Sequence, residues 1–300
     1  MNIIKYKKIF LGISLALVLA ALGIVGVKGL DYGIEFTGGA LLEISYPQDQ
    51  VPLLDVLRDR LAETNFDTAI QHFGDNSYIV KTKPLSETER KILVSALDID
   101  NTGTVERFNS IGPSVGKELR TKSLYALIFV SLGIVFFVAY AFRHVSKPVS
   151  SWRYGFVAVI ALLHDIIIPV GILTLLGTEI DTLYVVGLLS ILGLSVNDTI
   201  VVFDRIRENL ADNEESKIKE EFDITVGDAV TKTITRSILT SLTLIIVPLA
   251  LYYVGPAATQ TLAFVLLLGT IIGTYSSIFL ASPLLTYMAK KEVSRKRNKK

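Results

Sequence analysis

Three places in the sequence put ionisable side chains where they are costly. Asp198 lies inside a long apolar run, in "LSVNDTIVVFDRIREN" (194–209), flanked by Asn197 and Thr199. Arg236 lies near the start of another apolar run, and His164 and Asp165 sit side by side in the middle of a third. A charged side chain near the centre of a membrane helix costs roughly 2.5–3.5 kcal/mol on insertion scales. It persists when it faces a protein interior, a partner charge or water. A carboxylate so placed can bind and release a proton, and an arginine beside it can set the energy of that step. The competing reading is structural: Asp198 and Arg236 as a near-interface pair that caps or snorkels, a role that suits the long Arg better than the short Asp. His164 and Asp165 stand between the same two readings.

Other chemistry finds no support. The chain has no Cys and three His, which excludes disulfides, thiol catalysis and Cys-based metal sites. No His pair has metal-ligand spacing, and neither a Ser-His-Asp arrangement nor HExxH is present, so a non-enzyme with no metal and no cofactor is expected. "GPSVGKE" (112–118) is one residue short of a phosphate-binding loop and has Glu118 where Ser or Thr should stand. "NDT" (197–199) fits the glycosylation pattern but falls within an apolar run.

The elements that must carry these residues follow from hydropathy. Of 300 residues 50% are hydrophobic, and the mean hydropathy is +0.49. That excess is concentrated in blocks, which defines a multispan membrane protein. The net charge of +1 offers no field for nucleic acid. Six segments are long enough to cross a core of ~30 Å: 9–29, 121–142, 154–176, 182–203, 234–254 and 259–288. The first follows Lys5, Lys7 and Lys8 as a signal peptide would, but it is long and no small-residue cleavage site follows. An uncleaved anchor is expected. Pro283 is expected to kink or end the last span.

Basic residues set the orientation. They cluster in the N-terminus, in 143–153 (Arg143, Lys147, Arg153), in 204–232 (Arg205, Arg207, Lys217, Lys219, Lys232), and in the tail 290–300 with seven. The loops "GTEID" and "GPAAT" have none. Both termini and the basic loops are therefore expected in the cytoplasm and residues 30–120 outside. Asp198 is six residues before Asp204, about 9 Å deep at 1.5 Å per residue. Arg236 is four beyond Lys232, about 6 Å deep. His164 and Asp165 are about 15 Å deep. A pairing of Asp198 with Arg236 is possible if their antiparallel spans are neighbours.

The segment 30–120 reads as a small α+β domain. Strand patterns occur at "ALLEISY", "TAIQHF", "SYIVKT" and "TVERFNSI", and helix patterns at "VPLLDVLRDRLAET" and "SETERKILVSAL". The order β-α-β-β-α-β is ferredoxin-like. Ser86 and Glu89 form a capping box at the second helix. The expected organisation is 1–29 as N-terminus and first span, 30–120 as the outer domain, 121–289 as five further spans, and 290–300 as a basic tail. In the last span Gly269, Gly273 and Ser277 have small-xxx-small spacing, which permits close helix contact.

"DYGIEFTGGALLEI" (31–44), "GPSVGKELR" (112–120), "HD" (164–165), "LSVNDTIVVFDRIREN" (194–209), "TRSILTS" (235–241) and "GTIIGTYSSIFLASPL" (269–284) occur in an order that resembles the SecF branch of the SecD/SecF family, within the resistance-nodulation-division superfamily. The resemblance covers nearly the whole chain. It implies a subunit of the bacterial plasma membrane that works with a SecD-like subunit and the SecYEG channel, downstream of the SecA motor. Such a subunit uses the proton motive force in late steps of polypeptide translocation. It implies proton-pathway roles for Asp198 and Arg236, and places Asn197, Thr199, Asp204 and Arg205 in the same block. Gly38 and Gly39 of "FTGG" fall on the family's turn between the first span and the outer domain. "GLSVND" stands where "GYSIND" is more usual, which removes an aromatic hydroxyl beside the site. The 204–236 loop is a few residues longer than usual, and no charged site residue is lost. Two alternatives remain: a passive scaffold of the channel, and a small-molecule exporter of the same superfamily, although exporters usually carry two much larger outer domains.

Overall fold

The computed structural model describes residues 3–143, 149–217 and 220–297. Lys147, Lys219 and the side chains of the basic tail lie outside the described residues. The chain forms two compact units, 32–124 with 180–182, and the remainder.

In the small unit, α2 (Ile34–Thr37) leads into β1 (Gly39–Ser45), followed by α3 (Leu54–Glu63), β2 (Thr68–Phe73), β3 (Ser77–Thr82), α4 (Glu87–Leu97) and β4 (Thr104–Ile111). The sheet order is β2-β3-β1-β4, and every neighbouring pair is antiparallel. This is the split βαβ arrangement expected from the sequence. Leu42 and Ile44 of β1 and Tyr78 and Val80 of β3 turn inward to meet Leu57, Leu61, Leu93 and Leu97 of the two helices. The buried Tyr46 hydroxyl donates to the Leu97 carbonyl at 2.6 Å, so the polar tip has a partner. The capping box at α4 is formed: Glu89 N–H donates to Ser86 Oγ at 3.3 Å, and Ser86 N–H donates to Glu89 Oε2 at 2.8 Å.

"GPSVG" has a packing role here. Pro113 takes a first-turn position in α5 (Pro113–Ala141), where its missing N–H costs nothing. Gly38 has φ 79°, and a Cβ there would lie 2.7 Å from Pro113 Cα. A Cβ on Gly116 would lie 2.8 Å from Gly38 N. The two glycine motifs therefore hold one close backbone contact.

The membrane unit contains α1 (Lys7–Lys28), the later part of α5, α6 (Ser151–Leu175), α7 (Thr182–Glu215), α8 (Phe222–Val254), α9 (Gln260–Ser276) and α10 (Ser282–Arg297). Among the described residues six helical segments are long and apolar enough to cross a membrane. The chain is thus a multispan helical membrane protein with a small α+β domain.

Two boundaries differ from the sequence-based expectation. The sequence places the end of the fourth span at residue 203 and a loop over 204–232. Instead α7 continues unbroken to Glu215. Phe203 and Ile206 are fully buried against Val226, Ala229 and Val230 of α8, so the charged stretch is one solvated face of an extended helix. At the C-terminal end Pro283 does not end the helix. A five-residue π segment, Ser277–Ala281, joins α9 to α10. Pro283 has no N–H for the Phe279 carbonyl, and the wider turn accommodates that loss.

The glycines of α9 act as helix contacts. A Cβ on Gly269 would lie 2.1 Å from the Ile191 side chain, and one on Gly273 would lie 3.1 Å from Ser195 Cβ. Small residues let α7 and α9 approach closely.

Candidate functional site

Asp198 projects from α7 toward α8. Its Oδ1 accepts a hydrogen bond from Ser237 Oγ at 2.6 Å. Its Oδ2 is buried, and among the described residues no donor reaches it with hydrogen-bond geometry. Asp198 lines a cavity together with Asn197, Arg236, Thr240, Ser241 and Ser195. The space open to water is about 50 Å³, enough for more than one molecule. Leu194, Val201 and Leu244 also line it, and the polar side chains beside them offer water its hydrogen-bond partners.

Spans four and five are neighbours, and Asp198 and Arg236 face one cavity. They are not in direct contact: among the described residues no ion pair within 4.0 Å joins them, and Ser237 takes the hydrogen-bonding place. Arg236 is exposed on the surface of the membrane unit, as are Asn197 and Thr240.

Asp165 is the centre of a second polar group. It is completely buried, and His164 is 3% exposed. His164 Nδ1 lies 2.8 Å from Asp165 Oδ1. Asp165 Oδ2 accepts from Ser195 Oγ of α7, in a very short contact, and from Ser276 Oγ of α9 at 2.7 Å. The His164 ring stacks on Tyr275 at 6.1 Å between centroids, and its buried Nε2 has no hydrogen-bond partner among the described residues. Thr199 Oγ1 and Ser277 Oγ are 3.0 Å apart, one residue along from Asp198 and Ser276.

The remaining family-block residues stand apart. Asp204 pairs with Arg207, and Arg205 with Glu208 at 2.5 Å, both with neighbours three residues on along α7. Gly38 and Gly39 belong to the small unit, where they turn the chain into β1. Ser195 and Ser276 carry functional-looking contacts that sequence reading passed over. The available signal was spacing: Ser195 is one turn before Asp198 and Thr199, so all three share a helix face.

Fold and site define a multispan membrane protein with a small α+β domain and carboxylates, hydroxyls and an arginine gathered within its spans. Residues 93–291 match the family described as "Protein export membrane protein SecD/SecF, C-terminal", and residues 23–48 match the "SecD/SecF GG Motif". The chain is 37% identical over 289 residues to the protein translocase subunit SecF of Desulfurispirillum indicum, covering 92% of this chain and 87% of that one. It is 37% identical over 312 residues to that of Thermobaculum terrenum, covering 98% and 96%. Against SecF of Escherichia coli O157:H7 it is 37% identical over 282 residues, covering 91% and 83%. The chain therefore belongs to the SecD/SecF family, on its SecF branch. A crystal structure of SecDF from Thermus thermophilus, described as a translocon-associated membrane protein, superposes with TM-score 0.81 at 31% identity, covering 96% of this chain and 38% of that one. SecDF in its super-membrane-facing form gives TM-score 0.72 at 29% identity, with 100% and 40% covered. The chain spans about two fifths of those SecDF chains.

Proposed function

We propose that the chain is an auxiliary subunit of the Sec protein translocase. With a SecD-like partner it uses the proton motive force to promote late steps of polypeptide translocation, and it catalyses no covalent reaction. The observation that carries this reading is Asp198, held on one oxygen by Ser237, with its other oxygen buried and unpartnered among the described residues, in the wall of a cavity shared with Arg236. Protonation removes the charge on Asp198 and its attraction to Arg236. One proton crossing 100 mV is worth ~2.3 kcal/mol. That energy can bias two packings of the helices, and helix shifts can move an outer domain against an emerging polypeptide.

Two further observations support the partner and the orientation. Arg236, Asn197 and Thr240 are exposed on the membrane unit, and a guanidinium facing hydrocarbon is costly; a second six-span half beside this surface removes that cost. The SecDF chains, of which this chain spans about two fifths, fit such a second half. The distribution of Lys and Arg supports cytoplasmic termini and an outer domain beyond the plasma membrane. SecYEG and, indirectly, SecA complete the proposed assembly.

The test is Asp198→Asn in cells whose sole copy of this chain carries it. Secretion of a reporter should lose its dependence on the proton motive force while the variant inserts at normal levels. Wild-type, proton-dependent secretion in the variant would contradict the proposal and favour a passive scaffold.

A further inference from the structure

We propose that Asp165, with His164, is a second proton-holding group placed in series with Asp198 through the hydroxyl of Ser195. This rests on the reading of Asp198 as a proton carrier and adds the path beyond it.

Ser195 joins the two groups. It lines the same cavity as Asp198, and its Oγ donates to Asp165 Oδ2. It precedes Asp198 by three residues on α7, a rise of about 4.5 Å. Asp165 itself does not line the cavity. A proton released by Asp198 to cavity water can be passed to Ser195 Oγ as Ser195 gives its own hydroxyl proton to Asp165 Oδ2. One proton enters the hydroxyl and one leaves it, with no change in redox state. From Asp165 the proton can move to His164 Nδ1, which lies against the other carboxylate oxygen. An imidazole that gains a proton on Nδ1 holds it as imidazolium, so His164 is the end of the path within this chain. Nε2 is a buried ring atom that has no partner among the described residues, and a buried polar atom left so needs an explanation.

The groups facing this cluster are Asp198 from α7, Arg236 from α8 by way of the cavity, and Tyr275 from α9, whose ring covers His164. From α1, Ser14 Oγ donates to the Tyr275 hydroxyl at 3.3 Å. Ser276 supplies the internal control. It donates to the same oxygen of Asp165 as Ser195 does, yet it does not line the cavity.

The experiment compares Asp165→Asn, Ser195→Ala, Ser276→Ala and Asp198→Asn in the full-length chain. Membrane vesicles from cells with no other copy are scored for proton flux, reporter translocation and inserted protein. Each serine variant removes one hydrogen bond from Asp165, so a hub that merely ties α6, α7 and α9 together predicts equal losses. The relay predicts that flux in Ser195→Ala falls about a hundredfold or more further than in Ser276→Ala, the scale of a placed proton-transfer group, and that Asp165→Asn loses flux as Asp198→Asn does. Equal losses in the two serine variants overturn the relay. So does wild-type flux in Asp165→Asn beside a dead Asp198→Asn, which leaves the role of Asp198 standing. Wild-type flux in Asp198→Asn overturns both. If Asp165→Asn fails to insert, the serine comparison alone decides.

Discussion

At the scale of the residue, Asp198 and Arg236 differ in what holds them. Asp198 is fixed through one oxygen by Ser237, while Arg236 shares the cavity without a direct ion pair. Ser237 therefore positions the carboxylate, and Ser237→Ala should leave it free to turn. A hydrogen bond to a charged group is worth about 1.5–3 kcal/mol, so the properly aimed population should fall about tenfold or more. Proton-dependent secretion should fall with it while the amount of inserted protein holds. Unchanged secretion would show that Ser237 is incidental. Asp198, Arg236, His164 and Asp165 were visible in the sequence because ionisable groups stand out in apolar runs. Ser195 and Ser276 were not, because a serine in a membrane helix is common and its role depends on which helix faces it.

At the scale of the element, local rules read well. The strands of the small domain match their predicted segments closely, and the cap of α4 formed as Ser86 and Glu89 implied. Capping and alternation depend on near neighbours in sequence. The end of α7 was misread for the opposite reason: "DRIREN" looks like a charged loop until Phe203 and Ile206 meet α8. The α4 cap also predicts a pH response. Hydrogen bonds from the Ser86 backbone and hydroxyl, with Lys83 nearby, hold the Glu89 carboxyl below its ordinary value. A group lowered on folding stabilises the folded form above its unfolded pKa and loses that contribution as pH falls through the folded value. Amide protection in the first turn of α4, followed in the full chain and corrected for the intrinsic pH dependence of exchange, should thus fall on acidification below the usual glutamate range. Glu89→Gln should flatten that response, whereas an identical pH profile in the variant would assign it to other carboxylates.

At the scale of the whole molecule, six apolar spans, one small α+β domain and an exposed Arg236 fit the proposal that the chain works beside a partner. Span count and fold class followed from hydropathy alone. The internal wiring, Asp165 to Ser195 to the Asp198 cavity, required the packing of α6, α7 and α9, which depends on contacts far apart in sequence. The central claim is that Asp198 carries protons through the assembled complex. The most direct measurement copurifies the chain with its SecD-like partner, reconstitutes the complex in sealed vesicles, and follows proton uptake under an imposed potential. Uptake by the wild-type complex that disappears in Asp198→Asn is the predicted result; equal uptake by the two would contradict it.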